Sequence, residues 1–323
     1  MKAIPVILAV ACAVMVAGAA VAYCYQPGTG FSVSDDGSGS ATVSVSGTLP
    51  SEIAYRLLSG TEIPERIYLF LDPDYTGGFV SYRDQDKMLS SLKDMMSDRG
   101  YCTVEFIDSE RLAQLCTDPS AAPHKGIMMI SGAIPANVYP DVSNNGLETW
   151  MSNGGTVYWA GPDMGLYRAD ADGNNEKVEG GGRFGDAVNN SDDKPFLVGK
   201  ASPIADAMGF ACGHAEYGLK ADYPGSVVLG LYDDYSSLSV VPAGLGRIYV
   251  LGCPMSSLDV ESLYTYVDMI VCGITENTVV KDTGRMHKGY GNDSFTVSGI
   301  AAGDVLYVTS GKPVSVNGKV FGF

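Results

Sequence analysis

The sequence predicts an α/β protein: a doubly wound, mostly parallel sheet with a small accessory β module made from the two terminal segments. Two observations predict it. Between residues 67 and 160, short apolar runs alternate with helical periods, giving four β-α repeats in about 100 residues, a rhythm that implies parallel strands joined by right-handed crossovers. At both ends the texture changes to alternating apolar and polar residues around glycine-rich turns, the pattern of strands with one buried face.

Residues 1–25 come first. Ala3 to Tyr25 is uncharged and apolar after Lys2, and a helix of ~20 such residues crosses ~30 Å of hydrocarbon. The lone early cation, with Asp35 and Asp36 downstream, places the amino end inside and the bulk of the chain outside. The segment is either an uncleaved anchor or a signal peptide, because Ala20-Val21-Ala22 fits a small-x-small cut. Either way the expected location is extracytoplasmic, with membrane contact through residues 3–25. Residues 26–60 then alternate at Phe31-Ser32-Val33-Ser34 and Ala41 to Ser46. Residues 277–323 alternate at Asp293 to Val297, Asp304 to Val308 and Val314 to Phe321, where Asn317-Gly318 suits a type I′ hairpin turn. Isolated hairpins are marginal in water, so the two terminal segments are expected to pair into one module near the membrane.

Residues 61–276 form the α/β domain. Ile67 to Leu71 reads as a strand. Asp84 then caps a helix carrying Met88, Leu89, Leu92, Met95 and Met96 on one face, with Gly100 as its stop. Strand 102–107, helix 109–117, strand 126–131, a helix with Leu147, Trp150 and Met151, and strand 156–160 follow. Later strands are expected at 226–232 and 247–252, and a closing helix at 258–272. Residues 161–200 interrupt this rhythm with Gly, Asp and Asn, and such an insertion lies on the face where doubly wound sheets bind ligands.

Composition excludes some functions. A formal charge of −16, from 37 acidic and 21 basic residues, opposes binding to nucleic acid or an anionic bilayer surface. Cys102, Cys116, Cys212, Cys253 and Cys272 show no zinc spacing and read as buried thiols, with one or two disulfides left open. Sequons at Asn189 and Asn292 are candidate glycan acceptors. Tyr75, Tyr82, Tyr139, Tyr158 and Tyr167 fall near loop or strand ends, where aromatic rings bind sugars or proteins, although packing accounts for most of them.

Three segments carry a family resemblance: Ile67 to Asp72, Ile130-Ser131-Gly132, and Leu147 to Gly161 with its Gly154-Gly155 turn. Together with Gly244 to Gly252, they are similar to the class I glutamine amidotransferase-like (flavodoxin-like) superfamily over about residues 65 to 275. In active members a cysteine nucleophile stands at the elbow after the central strand. Here that elbow reads Gly161-Pro162-Asp163-Met164-Gly165, and His214-Ala215-Glu216 echoes a His-x-Glu pair without a nucleophile. The resemblance thus implies an inactive domain on an enzyme fold.

A rival reading starts at Asp72-Pro73-Asp74-Tyr75-Thr76, which looks like the first motif of haloacid dehalogenase-type phosphatases. In that chemistry Asp72 attacks phosphorus, Asp74 handles the leaving-group proton, Ser131 holds phosphate, and Asp233 or Asp234 helps bind Mg²⁺. Asp170, Asp172, Asn174 and Glu176 form an oxygen-rich loop with weak Ca²⁺-like character, but Gly173 is misplaced for an EF-hand. The sequence therefore leads first to a non-catalytic surface protein, without a cofactor, that meets protein or glycan partners at the cell envelope. An extracytoplasmic Mg²⁺-dependent phosphatase is the second reading.

Overall fold

The computed structural model describes residues 31–45, 52–76, 79–189, 194–195, 202–210, 214–215, 217–232, 234–252, 260–287, 293–310 and 318–323. The chain is α/β with mixed sheets and few helices. In order it forms β1 (Phe31–Asp35), β2 (Ser40–Val45), β3 (Glu52–Ser59), β4 (Arg66–Phe70), α1 (Tyr82–Asp98), β5 (Val104–Ile107), α2 (Ser109–Thr117), β6 (Lys125–Met129) and β7 (Ile134–Pro135). Then come α3 (Gly146–Ser152), β8 (Thr156–Ala160), β9 (Tyr167–Ala169), β10 (Asn175–Lys177), β11 (Val188–Asn189), β12 (Lys194–Pro195), α4 (Pro203–Met208), β13 (His214–Ala215) and β14 (Gly218–Lys220). The last are β15 (Val227–Tyr232), β16 (Tyr235–Ala243), β17 (Gly246–Leu251), α5 (Val260–Val271), β18 (Val279–His287), β19 (Asp293–Ser298), β20 (Val305–Ser310) and β21 (Lys319–Gly322).

The central sheet runs β11-β14-β16-β17-β8-β6-β4-β5, with β15 also paired to β16. Neighbours from β5 to β17 are parallel, and β16 turns the sheet antiparallel. Strand faces alternate, so each side of this sheet buries its own core. Leu69, Met128, Tyr158 and Tyr249 meet α1, α4 and α5 on one side, while Phe70, Ile127, Trp159 and Ile248 meet α2 and α3 on the other.

Helix α1 starts earlier than its sequence suggests. Ser81, rather than Asp84, is its N-cap, and Asp84 in the first turn accepts the Ser81 hydroxyl at 2.6 Å, a reciprocal arrangement of the capping-box kind. Met88, Leu89, Leu92 and Met96 are buried, each stabilising the fold by roughly 1.5–3 kcal/mol on transfer from water.

Two smaller sheets, β1-β2-β19 and β18-β3-β20-β21, sandwich Phe31, Val43, Leu57, Leu306 and Val308. Every residue of β20 is buried, because its two faces serve different cores. Leu306 and Val308 point into the sandwich, whereas Val305 and Tyr307 join the apolar cluster of α1 and α5. The chain passes between sandwich and central sheet twice, side by side: Glu62 N donates to Gly273 O at 2.8 Å and Thr275 Oγ1 to Gly60 O at 2.7 Å.

Where these layers meet lies a buried polar cluster. Arg99 Nε binds Asp268 Oδ1 at 3.0 Å, Tyr307 Oη donates to Asp268 Oδ2 at 2.6 Å, and Arg56 donates to Thr309 Oγ1 and Ala207 O at 2.8 and 2.9 Å. Removing one partner of a buried pair leaves the other charge uncompensated. Asp268→Ala is expected to cost about 3–5 kcal/mol and Tyr307→Phe about 1–2 kcal/mol, both measured by urea unfolding.

Candidate functional site

The carboxyl ends of β4, β6 and β8 form the edge where the sequence places its candidates. Beyond β4, Asp72 is buried and both its oxygens are engaged: Oδ1 accepts from Asp74 N at 2.9 Å and Oδ2 from Ser109 N at 2.8 Å. The second bond holds a carboxylate at the amino end of α2, where the helix dipole favours negative charge. Beyond β6, the fully buried Ser131 donates its hydroxyl to Ala133 O at 2.8 Å. Gly132 follows with φ +74°, and a β-carbon there would lie 2.9 Å from the Phe79 ring. Phe79 thus fills the space above this strand end, its ring set edge-on to Tyr167 at 5.0 Å.

The elbow beyond β8 is an anchor for the insertion. Asp163, 4% exposed, accepts from Phe184 N at 3.0 Å and Gly185 N at 2.8 Å. A β-carbon at Gly182 would come within 2.6 Å of Asp163 Oδ2, so only glycine allows the loop this close. Burial pushes the Asp163 carboxyl above its ordinary value, against the lowering effect of the backbone amides. Arg183 pairs with Glu148 on α3 and lies over the Phe184 ring, and Trp159 Nε1 donates to Pro162 O at 2.6 Å.

Asp72, Asp74 and Ser131 therefore share one region, on the neighbouring strands β4 and β6. Asp234 does not join them. After β15 the chain reverses directly into antiparallel β16, a strand absent from the sequence reading, so Asp234 sits exposed in a hairpin turn. Its strand is four spacings from β4, on the order of 19 Å. Asp233 lies outside the described residues. Among the described residues no group of three or more His, Cys, Asp or Glu is arranged to hold a metal ion.

The acidic loop is a closed hairpin turn joining β9 to β10. Asp170 Oδ1 accepts from Asp172 N at 3.0 Å and Asn174 N at 2.9 Å; these bonds, Asn174's first, hold its carboxyl below the ordinary value. Glu176 is paired with Arg168 at 2.6 Å. Asp170 is satisfied by Asn174 and backbone amides and Glu176 by Arg168, and the four residues do not form a metal-holding group. Of the tyrosines, Tyr139 and Tyr158 are core residues, Tyr158 stacking on Tyr249 at 4.6 Å, while Tyr82 is 42% exposed. Cys116 and Cys272 are buried free thiols and Cys102 is exposed. Residues 3–25, Cys212, Cys253, Glu216, Asn292 and Asn317 lie outside the described residues, among which no helix is long and apolar enough to cross a membrane.

The sequence reading missed Asp163 as an anchor and Gln85 altogether. Asp163 had a visible signal, an acid between glycines directly after a fully apolar strand; Gln85 had none.

Comparisons with known proteins follow from this geometry. Op5Man5, an exo-beta-1,4-mannosidase from Opitutaceae bacterium strain TAV5, is 12% identical with TM-score 0.36, covering 64% of this chain and 34% of that one. Gan42B, a GH42 beta-galactosidase, is 14% identical with TM-score 0.39, covering 76% and 36%. The beta-galactosidase of Bacillus circulans sp. alkalophilus is 13% identical with TM-score 0.38, covering 78% and 36%. The chain spans about a third of the length of these enzymes, and at such identities the likeness transfers no activity. No protein-family model and no curated protein matches.

These findings correct the family expectation. The similar solved structures are glycoside hydrolases, so assignment to the amidotransferase-like superfamily is withdrawn, together with the flavodoxin-like and inactive-enzyme labels. Packing accounts for the residues that suggested it: a β-carbon on Gly155 would lie 2.1 Å from Trp150 Nε1, and one on Gly246 would lie 1.9 Å from Gly155 O.

Asp163 offers a pH test. Its folded pKa stands above the ordinary 3.8, so its stabilising contribution is full below that pH and is lost as pH rises through the folded value. The stability of wild type minus that of Asp163→Asn, from urea midpoints across the carboxylate range, is expected to fall with rising pH; a constant difference refutes this.

Proposed function

We propose that this chain is a non-catalytic, extracytoplasmic recognition or assembly protein of the cell envelope, built on a doubly wound α/β domain. It is directed outward through residues 3–25 and engages protein or glycan partners. One observation carries the reading: the acids where β4 and β8 end are bound to backbone amides and shape loops. Asp72 ties β4 to α2, and Asp163 ties β8 to the insertion. Groups held this way position chain rather than move protons, and a general acid or base must instead reach its substrate at hydrogen-bond distance. The doubly wound arrangement is supported by the strand order β5-β4-β6-β8-β17 and by helices on both faces. The outward location is supported by the uncharged run after Lys2 and by the acidic remainder.

The phosphatase reading makes the opposite forecast for Asp72 and would need Mg²⁺. With p-nitrophenyl phosphate and Mg²⁺, no turnover above the buffer rate is expected from wild type. Turnover abolished by Asp72→Asn would overturn the recognition reading. Immobilised protein is expected to retain a specific component of solubilised native envelopes, identified by mass spectrometry.

A further inference from the structure

Beside the loop that follows β4, two buried side-chain acceptors have no hydrogen-bond partner. Gln85, in the first turns of α1, is fully buried. Its Nε2 donates to Thr76 O at 2.8 Å and Val80 O at 2.9 Å. This fixes the orientation of the amide, because the flipped form would set an oxygen against two carbonyls. Oε1 points away from those carbonyls and is buried without a partner. The β9–β10 hairpin closes over the same loop: a β-carbon at Gly173 would lie 3.3 Å from Thr76 Oγ1 and 3.8 Å from Asp74 O. On that hairpin Asn175 stands opposite Ala169, on the face that also carries Tyr167, and its Oδ1 is likewise enclosed without a partner. Tyr167 in turn meets Phe79. Asp74 is exposed, and neither it nor Asp72 has an ion-pair partner among the described residues.

Acceptors, unneutralised carboxylates and aromatic rings together suit a ligand that brings only donors and positive charge. A sugar hydroxyl would leave its own acceptor capacity unmet here, and a metal ion would lack its third carboxylate or imidazole. The geometry points to a binding site for an organic ammonium group. Its N–H donors face Gln85 Oε1 and Asn175 Oδ1, its charge faces Asp74, and Phe79 and Tyr167 form the walls. The overall charge of −16 raises the local concentration of such cations. The ammonium belongs either to a lysine of a protein partner, which rests on the recognition reading, or to a free amine, which does not.

Calorimetric titration of the full chain with n-butylammonium chloride tests the site, with n-butyramide as the uncharged control. Binding is expected for the ammonium alone, about tenfold weaker in Asp74→Asn and in Gln85→Met, as loss of one charge-assisted or buried hydrogen bond implies. Asp74 is exposed, so its variant retains the fold if Gln85→Met does not; circular dichroism checks both. Absence of binding, equal binding of butyramide, or unchanged affinity in Asp74→Asn overturns the proposal. A lysine-containing peptide and its Nε-acetylated form then separate the sources: binding of the unmodified peptide alone supports a protein partner, and binding of butylammonium without either peptide supports a free amine. Phosphatase turnover would end the recognition reading without altering these titrations.

Discussion

The contact between Arg99 and Asp268 sits where every layer of the molecule meets. Arg99 caps α1 at its carboxyl end, Asp268 lies in α5, and both are essentially inaccessible to water. Burial raises the Asp268 carboxyl pKa, while Arg99 and the Tyr307 hydroxyl pull it back down. Burial alone would lower Arg99, but the Asp268 carboxylate holds it above its ordinary value. Tyr307 is pushed well up and stays a donor. A buried pair is favourable only when its remaining valences are met; here Tyr307 of β20 donates to Asp268, and Arg56 of β3, whose guanidinium lies over the Tyr307 ring, adds positive charge nearby. Lys319 of β21 adds a bond to Asp98 O at 2.6 Å. The sandwich therefore completes the electrostatics of the helices on which it rests.

This constraint reaches the loop after β4 through α1. A helix of 17 residues is about 25 Å long. Its carboxyl end is fixed by the buried pair, and its amino end presents Gln85 beside the loop after β4. The surroundings of Gln85 are thus set by packing at the far end of the same rod. The crossing segments have their own tie: Arg247, at the start of β17, binds Glu62 at 2.8 Å and Glu276 at 3.0 Å, one residue on each pass of the chain.

Legibility in the sequence followed the strength of the physical signal. The face of α1, the helix beginning at Ser109 and the apolar strand Thr156 to Ala160 were readable because burial on one or both faces imposes a period. β16 was not, since Ser236, Ser237 and Ser239 are polar yet buried and break the apolar run that marks a strand. Without it, Asp234 reads as a residue beyond a strand's carboxyl end, whereas the chain reverses there into β16 and leaves it exposed in a hairpin turn. The Gly154-Gly155 turn and the Gly244-Leu245-Gly246 turn were read as family marks, but their spacing is dictated by the Trp150 indole and by backbone contact between the two turns. No local pattern reveals that an exposed-looking glutamine between Asp84 and Asp86 will be fully buried with one oxygen unmet, because its partners, the Thr76 and Val80 carbonyls, belong to an irregular loop whose path no period in the sequence sets.

The acids of this edge divide by what their oxygens already do. Asp72 and Asp163 accept backbone hydrogens that fix α2 and the insertion, and removing either side chain would loosen a loop before it altered any chemistry. Asp74 makes no such bond through its side chain and lies in water beside them. It is well suited to attracting positive charge toward neutral acceptors already fixed in place. The division of roles along this edge therefore favours holding a cationic group over transforming one.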